Sequence, residues 1–261
     1  MVADRSRPSA LTRVAADLLA ALGLFTRLPL EWLERIAAPV DLRRSIWVWP
    51  LVGIAVGLVT AVVATLGLAW NLPPLVAAIC AVMTQLLMTG GLHEDGLADS
   101  ADGLGGGRTA ERRLEIMRDS RIGSYGALAL GTCVALRVAC IATLPPAALI
   151  CCLALSGGLA RTSLLVVMRW TPPARRDGMA AALFPLPVRL TGMTLFAVAL
   201  VTLLVLPSQE GAVVLMAALL ATLLLRRTAM RSIGGFTGDI LGAAAVLSEL
   251  AALLVMVSFA R

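Results

Sequence analysis

Long stretches of the chain carry almost no charge, and this restricts the fold most. Seven such stretches are candidate transmembrane helices: residues 46–70, 75–89, 125–144, 147–168, 190–206, 211–225 and 240–260. A hydrocarbon core of about 30 Å needs about 20 apolar residues of helix, so the second and sixth stretches are short. Strand-like alternation, which a transmembrane barrel requires, is absent from the sequence. We therefore predict an all-α polytopic membrane protein, with residues 1–261 forming one integral membrane domain of about seven transmembrane helices.

The arginines are distributed unevenly between the connecting segments, and the chain has no lysine. The segment up to residue 44 holds seven, 90–124 five, 169–189 four and 226–239 three, whereas the turns at 71–74, 145–146 and 207–210 hold none. Excess positive charge marks cytoplasmic loops. We expect the N-terminus and the three long polar segments in the cytoplasm and the C-terminus outside. This topology accounts for the net charge of +6, so no nucleic-acid partner is expected.

The first 45 residues are predicted to form a cytoplasmic amphipathic segment. Within residues 9–22, four large apolar side chains recur at helical spacing: Leu11, Val14, Leu18 and Leu22. Arg13 and Asp17 fall on another face. This pattern indicates a helix lying in the membrane interface.

Three ionisable residues fall at membrane depth: Arg137, Arg161 and Glu249. Charged groups are costly in lipid and usually serve a function or are paired inside the helix bundle. For each of them, a structural interhelical partner and a substrate contact both remain open.

The segment 90–124 combines carboxylates with glycines directly after an apolar helix. Asp95, Asp99 and Asp102 are spaced i, i+4 and i+7, so a helix places them on one face. Like charges at this spacing repel each other, and a divalent cation relieves the repulsion. Oxygen ligands favour Mg²⁺ or Mn²⁺, with substrate phosphate and water completing the shell. A solvated polar loop end is the alternative interpretation.

Two glycine-rich segments offer backbone N–H groups to an anion. The first contains Gly105, Gly106 and Gly107, directly after the carboxylates. The second, 234–239, contains Gly235, Thr237 and Asp239 before the last helix. Capping of that helix by Thr237 or Asp239 would by itself explain both residues, although a helix N-terminus also favours anions.

Residues 109–121 predict a short amphipathic helix. We interpret its four central charged residues as a salt-bridged surface: Glu111, Arg112, Arg113 and Glu115. Arg118, Asp119 and Arg121 lie just before the next membrane helix, from where they could fold back over the carboxylates. Carboxylate ligands beside guanidinium groups suit phosphoryl transfer.

Two longer motifs resemble the signature of the cobalamin synthase family, the adenosylcobinamide-GDP ribazoletransferases. They are HEDGLADSADG at 93–103 and RLEIMRDSRIGSYG at 113–126. Two shorter matches, FTRLP at 25–29 and GGFTGD at 234–239, occur in the family's order and at similar spacing. Ser100 and Ser124 stand where Thr is usual, and Phe236 where Tyr is common, but no carboxylate or glycine is lost.

The resemblance implies a Mg²⁺-dependent transferase of the bacterial cytoplasmic (inner) membrane. Adenosylcobinamide-GDP and α-ribazole, or its 5′-phosphate, would give adenosylcobalamin, or its 5′-phosphate, and GMP. The expected partners are these substrates and the lipid bilayer, and homo-oligomerisation is left open.

The resemblance and the residue pattern together assign the site. Asp95, Asp99 and Asp102 would hold Mg²⁺, with Asp119 as a further ligand or general base. His93 would bind substrate or act as the base. The remaining candidates would bind phosphate or line the nucleotide path: Arg118, Arg121, Gly105, Gly106, Gly107, Gly235, Thr237 and Asp239.

Two other functions fit part of the pattern. A CDP-alcohol phosphotransferase-like lipid enzyme also carries spaced aspartates on membrane helices, but its Ala-Arg pair and later aspartates do not follow here. A divalent cation transporter would place acidic groups near the bilayer midplane, often in repeated halves, and no repeat is visible.

Overall fold

The computed structural model describes residues 9–30 and 41–260, and within these ranges the chain is helical, without β-strands. The helices are α1 (Ala10–Phe25), α2 (Trp49–Ala69), α3 (Pro74–Thr89), α4 (Leu92–Gly106), α5 (Ala110–Ile116), α6 (Ser124–Thr143), α7 (Pro146–Trp170), α8 (Met179–Ala182), α9 (Val188–Val205), α10 (Ser208–Ile233) and α11 (Gly238–Phe259). A 3₁₀ turn, Ser45–Trp47, leads into α2.

Six helices of the described chain are long and apolar enough to cross a membrane: α2 with its preceding turn, α6, α7, α9, α10 and α11. The seventh expected span, 75–89, forms part of a bent pair in which α3 and α4 meet at 89°. Gly90 and Gly91 form the bend with φ of 66° each, a left-handed conformation that favours glycine. The chain is thus an all-α polytopic membrane protein, with six spans or, if the bent pair counts as one, seven.

The centre of the bundle is formed by α7 and α11, which pack against each other and are buried along most of their length. Helix α2 approaches α7 at unusually close range. A Cβ at Gly53 would collide with the Gly157 carbonyl, and one at Gly57 with the Leu153 carbonyl. Small residues at a helix interface allow this approach within a membrane.

The polar connections meet at one end of the bundle, as expected if they share one side of the membrane. The contacts that join them include Arg113 Nη1 to Ser232 O at 3.0 Å, Arg118 Nη2 to Asp177 Oδ2 at 2.6 Å, and Arg226 Nε to Thr171 Oγ1 at 2.9 Å. Residues 1–8 and 31–40 of the predicted cytoplasmic segment 1–45 lie outside the described residues.

The N-terminal helix is present as α1, ending at Phe25 rather than near residue 22. Its apolar stripe is exposed, with Leu11 83% accessible, which fits a helix lying against lipid. Its opposite side is attached to the bundle through Asp17, which accepts hydrogen bonds from Arg44 Nε at 2.7 Å and Trp47 Nε1 at 3.0 Å.

Two predicted helix boundaries were wrong. The helix predicted over 109–121 ends at Ile116, and Asp119 instead accepts hydrogen bonds from the backbone and side chain of Arg121. Such local side-chain bonding competes with helical backbone bonding. Helix α10 continues to Ile233, so most of the predicted polar segment 226–239 is helical. Arg226, the first arginine of that segment, does not end the helix but donates a hydrogen bond to Thr171, just after α7.

Candidate active site

The three aspartates predicted to bind metal all lie on α4, but in different surroundings. Asp95 is exposed and Asp99 half-buried, and neither makes a hydrogen bond or ion pair with any described residue. Asp102 is buried and accepts the backbone N–H groups of Gly123 at 2.7 Å and Gly126 at 2.9 Å. These bonds satisfy free N–H groups at the start of α6. The free carboxylates of α4 are therefore Asp95 and Asp99.

The first turn of α11 brings a third carboxylate, Asp239, beside them. A Cβ added to Gly96 of α4 would lie 2.9 Å from the Asp239 carbonyl oxygen, so the two helices touch here. The Asp239 carboxylate lies within electrostatic range of both Asp95 and Asp99. Asp239 Oδ2 accepts hydrogen bonds from Arg175 Nη2 at 2.7 Å and Thr237 Oγ1 at 3.0 Å. The acidic cluster thus comprises Asp95, Asp99 and Asp239.

The residues present fit a cation held jointly with substrate. In the described chain, no group of three or more His, Cys, Asp or Glu side chains is close enough to hold a metal ion by itself. Mg²⁺ commonly binds through one or two carboxylates plus substrate phosphates and water. Asp95 and Asp99, unpartnered and one helical turn apart, suit that mode. Asp102 suits it less, because two backbone N–H groups already occupy its oxygens.

A cavity of about 430 Å³ opens beside this cluster, and Asp95 and Asp239 both line it. Phe25 and Trp49 form another part of its wall. His93 also lines the cavity: its ring stacks on Phe25 with centroids 5.7 Å apart. The Nε2 atom of His93 is buried and has no hydrogen-bond partner among the described residues. His93 therefore lines the cavity and carries a buried ring nitrogen without a partner among the described residues.

A second cavity, of about 280 Å³, adjoins the first. The two cavities share four lining residues: Met179, Ala180, Gly238 and Asp239. Arg175 lines the second cavity, and its ion pair with Asp239 stands where the two meet. Arg175 is not among the site residues predicted from the sequence. Its position among the arginines of 169–189 was the only available signal.

The segment 234–239 forms a wall of the site through close backbone packing. A Cβ at Gly235 would collide with the carbonyl of Pro172, so glycine is needed for this approach. Phe236 N–H donates to Pro172 O at 2.9 Å, and Ala174 N–H donates to Phe236 O at 2.8 Å. Thr237 caps α11, accepting Ile240 N–H at 3.3 Å. This arrangement places Arg175 next to Asp239.

The predicted backbone cradle at Gly105, Gly106 and Gly107 is not formed. Gly105 and Gly106 lie in the last turn of α4, where N–H groups are used inside the helix and only carbonyls are free. The N–H of Gly107 donates to Gly103 O at 3.2 Å. Gly105 instead lies against the Tyr125 ring.

Arg118, Asp119 and Arg121 are exposed or half-exposed and line neither cavity. Arg118 pairs with Asp177 at 2.6 Å, and Arg121 pairs with Asp119 at 2.7 Å. Hydrogen bonds from Arg121 lower the pKa of the Asp119 carboxyl to about 2. In the described part of the chain, none of these three residues makes a hydrogen bond or ion pair with a carboxylate of α4.

Behind α4 lies a buried ion cluster that the sequence could not pair. Arg137, with a side chain only 1% exposed, donates from Nη1 to Glu94 Oε1 at 2.7 Å and from Nη2 to Glu249 Oε2 at 3.4 Å. Gln85 Nε2 donates to Glu249 Oε1 at 2.9 Å. Arg161 is also fully buried, within electrostatic range of both glutamates. The cluster fixes α4 to α6 and α11 at the residue between His93 and Asp95.

Comparison with known proteins identifies the family. A family profile described as Cobalamin-5-phosphate synthase matches residues 17–257. The chain belongs to this family. Proteins named adenosylcobinamide-GDP ribazoletransferase from Azorhizobium caulinodans, Bradyrhizobium diazoefficiens and Xanthobacter autotrophicus are 44%, 43% and 40% identical to it. The matches cover 96%, 94% and 95% of this chain and 98%, 95% and 98% of the relatives. No solved structure gives a significant match.

In this member of the cobalamin-5-phosphate synthase family, the four sequence motifs converge. Motif 25–29 lines the larger cavity through Phe25, and motif 93–103 lines it through His93 and Asp95. Motif 113–126 supports α4, because its glycines bind the Asp102 carboxylate and Met117 packs on Gly103. Motif 234–239 adds Asp239 from the opposite side.

Proposed function

We propose that this chain joins adenosylcobinamide-GDP to α-ribazole, or to its 5′-phosphate, giving adenosylcobalamin, or its 5′-phosphate, and GMP. The relatives bear the name of this activity. On this chain, the observation that carries the proposal is the pair of unpartnered carboxylates, Asp95 and Asp99, beside a cavity bounded by Asp239.

The reaction exchanges one phosphorus–oxygen bond for another. A ribose hydroxyl attacks the phosphorus attached to cobinamide, the bond to the GMP phosphate breaks, and a base takes the hydroxyl proton. Because a 5′-phosphorylated acceptor keeps its phosphate in the product, the attacking hydroxyl is not the one at the 5′ position. Because the protein itself forms no covalent bond in this exchange, positioning of the substrates and charge stabilisation would carry most of the catalysis.

Asp95 and Asp99 would hold Mg²⁺ at the diphosphate. When bound, the cation offsets negative charge on the diphosphate and on the leaving phosphate. Arg175 would bind non-bridging phosphate oxygens, since it lies at the junction of the two cavities and a guanidinium matches phosphate geometry.

His93 is the base that we propose for the hydroxyl proton. His93 lines the cavity, and its Nε2 is buried and unpartnered among the described residues. A base must lie within hydrogen-bond reach of the proton it takes. Asp119 is less suited, because it is paired with Arg121 outside both cavities.

The site would face the cytoplasm at the bacterial inner membrane, with the N-terminus inside. The arginine distribution supports this orientation, and the three arginine-bearing segments meet at one end of the bundle. Alkaline phosphatase fused after residue 261 should be active in the periplasm, and a fluorescent protein fused before residue 1 should fluoresce in the cytoplasm. The reverse pattern would contradict the orientation.

The function is tested with purified protein in detergent or proteoliposomes, supplied with adenosylcobinamide-GDP, α-ribazole and Mg²⁺. Cobamide and GMP should form in equal amounts, and chelation of Mg²⁺ should stop both. Asp95→Asn and Asp99→Asn should each lower kcat by at least about 100-fold. Glu111→Gln, on exposed α5, is the matched control and should keep wild-type activity.

Absence of cobamide from the wild-type protein would refute the proposed transfer. Wild-type rates in both aspartate variants would instead refute the cation site and leave the transfer standing.

A further inference from the structure

The motif at 25–29 has no part in the chemistry described above, yet it forms a wall of the larger cavity. Phe25, at the end of α1, is 1% exposed and packs edge-to-face on Trp49 with centroids 5.2 Å apart. The His93 ring stacks on the same phenyl ring at an interplanar angle of 26°. Three rings from α1, α2 and α4 thus form one aromatic surface beside the cavity.

Apart from Arg27, which also lines the cavity, the rest of this part of the wall is mainly aliphatic. Its other large apolar lining residues are Leu24, Leu92, Leu164, Met179, Leu183 and Leu241. The two threonines in the wall have no free hydroxyl proton: Thr26 Oγ1 donates to Leu22 O at 2.7 Å, and Thr89 Oγ1 donates to Gln85 O at 3.0 Å. The charged residues in the wall are Arg27, Asp95 and Asp239.

The three chemical parts of the substrates differ in how well they suit such a surface. Guanine has donors and acceptors along its edge, and burying them without partners is costly. A corrin ring with its amide side chains is both larger and more polar than a cavity of about 430 Å³ can enclose. The dimethylbenzimidazole base of α-ribazole is planar and apolar, and it has one free ring nitrogen once joined to ribose.

We infer that the aromatic part of this cavity binds the base of α-ribazole, with Phe25 as its main recognition residue. The inference rests on the proposed function. A base packed against Phe25 directs its ribose toward His93 and Asp95, where the hydroxyl must react. Adenosylcobinamide-GDP then reaches the same carboxylates from the adjoining cavity, past Arg175.

The main variant is Phe25→Leu, which removes the ring and keeps an apolar side chain. Loss of an aromatic contact should weaken α-ribazole binding by about 3- to 10-fold, seen both in the equilibrium Kd and in KM for α-ribazole. KM for adenosylcobinamide-GDP should stay within about twofold of wild type. Phe196→Leu is the matched control, because Phe196 is 69% exposed on α9 and lines neither cavity.

A second variant, Leu183→Phe, tests the same cavity by filling it. It should also raise Kd for α-ribazole, and it guards against Phe25→Leu acting only through misfolding. An α-nucleoside carrying adenine should bind the wild type at least about 10-fold more weakly than α-ribazole, because its polar edge finds no partners. Phe25→Leu should reduce that difference.

The outcomes separate the inference from the proposed function. Unchanged Kd for α-ribazole in both variants, or a raised KM for adenosylcobinamide-GDP alone, would overturn the inference while transfer persists. Binding of α-ribazole that depends on Phe25, in a protein that forms no cobamide, would support the inference and refute the transfer. Equilibrium dialysis with α-ribazole alone measures this binding without turnover.

Discussion

Replacing Arg137 with methionine tests whether the buried ion cluster holds α4 in place. Methionine has a similar length and no charge, so the change removes the cation and keeps much of the volume. Glu94 and Glu249, with side chains 9% and 5% exposed, then lose their shared partner at 2.7 and 3.4 Å. Among the described residues, Arg161 is the remaining arginine that interacts with both buried glutamates.

The expected loss is large because neither glutamate can reach solvent. Removing one partner of a buried ion pair costs about 3–5 kcal/mol. For chains of this size, 1 kcal/mol corresponds to about 2–4 °C in Tm, so Tm should fall by roughly 6–20 °C. The exposed pair Arg112–Glu115 provides a matched control, since its side chains are 66% and 65% exposed. Arg112→Met should change stability by less than about 1 kcal/mol.

Thermal unfolding in lipid nanodiscs, followed by tryptophan fluorescence, measures both variants. A double variant adds a stricter test: Glu94→Gln in the Arg137→Met background should recover part of the loss, because one of the two uncompensated charges is gone. A coupling of about 0.5–3 kcal/mol is expected between contacting residues. A Tm within 2 °C of wild type for Arg137→Met, or strictly additive effects of the two substitutions, would refute this account of the cluster.

Two further predictions concern the other aspartates. Asp102→Asn should lower stability by about 1–3 kcal/mol through loss of charge-assisted bonds to Gly123 and Gly126, with an unchanged Mg²⁺ dependence of activity; a tenfold rise in the Mg²⁺ concentration for half-maximal activity would restore Asp102 as a ligand. The pKa of Asp119 is lowered from 3.8 to about 2, so its pairing with Arg121 is complete above the ordinary value and is lost only as pH falls toward 2. Asp119→Asn should therefore leave the pH–rate profile between pH 5 and 9 unchanged, and a shifted acidic limb would contradict this.

Most helices could be predicted because charge-free runs of this length have few other stable forms in a membrane. The helical spacing of Asp95, Asp99 and Asp102 was also readable, but spacing does not reveal what each residue meets. Asp102 faces the start of α6, which follows it by some 20 residues, and Asp239 comes from the far end of the chain. Helical periodicity describes one helix alone, whereas the acidic cluster is formed by two.

Pairing of the membrane-embedded charges depended even more on tertiary structure. Arg137 and Glu94 are 43 residues apart, and Gln85 and Glu249 are 164 apart. The cost of an unpaired charge in lipid indicated an interhelical partner or a substrate contact for Arg137 and Glu249, but not which of the two. Glu94 was overlooked because it stood inside a motif whose aspartates offered a simpler explanation. Arg175 was overlooked because an arginine in a cytoplasmic loop is usual and calls for no functional explanation.

The adjacent residues His93, Glu94 and Asp95 connect the stability of the bundle to the chemistry of the site. Successive residues of a helix point about 100° apart, so these three side chains face three different surroundings. His93 stacks on Phe25 in the wall of the cavity, Glu94 pairs with the buried Arg137, and the exposed Asp95 lines the same cavity as His93. Because Glu94 is held at 2.7 Å by a residue that cannot move far, the rotation of α4 about its axis is fixed at this turn. That rotation determines where His93 Nε2 and the Asp95 carboxylate lie. The site therefore depends on three consecutive residues that point in different directions, and not only on residues spaced along one face of the helix.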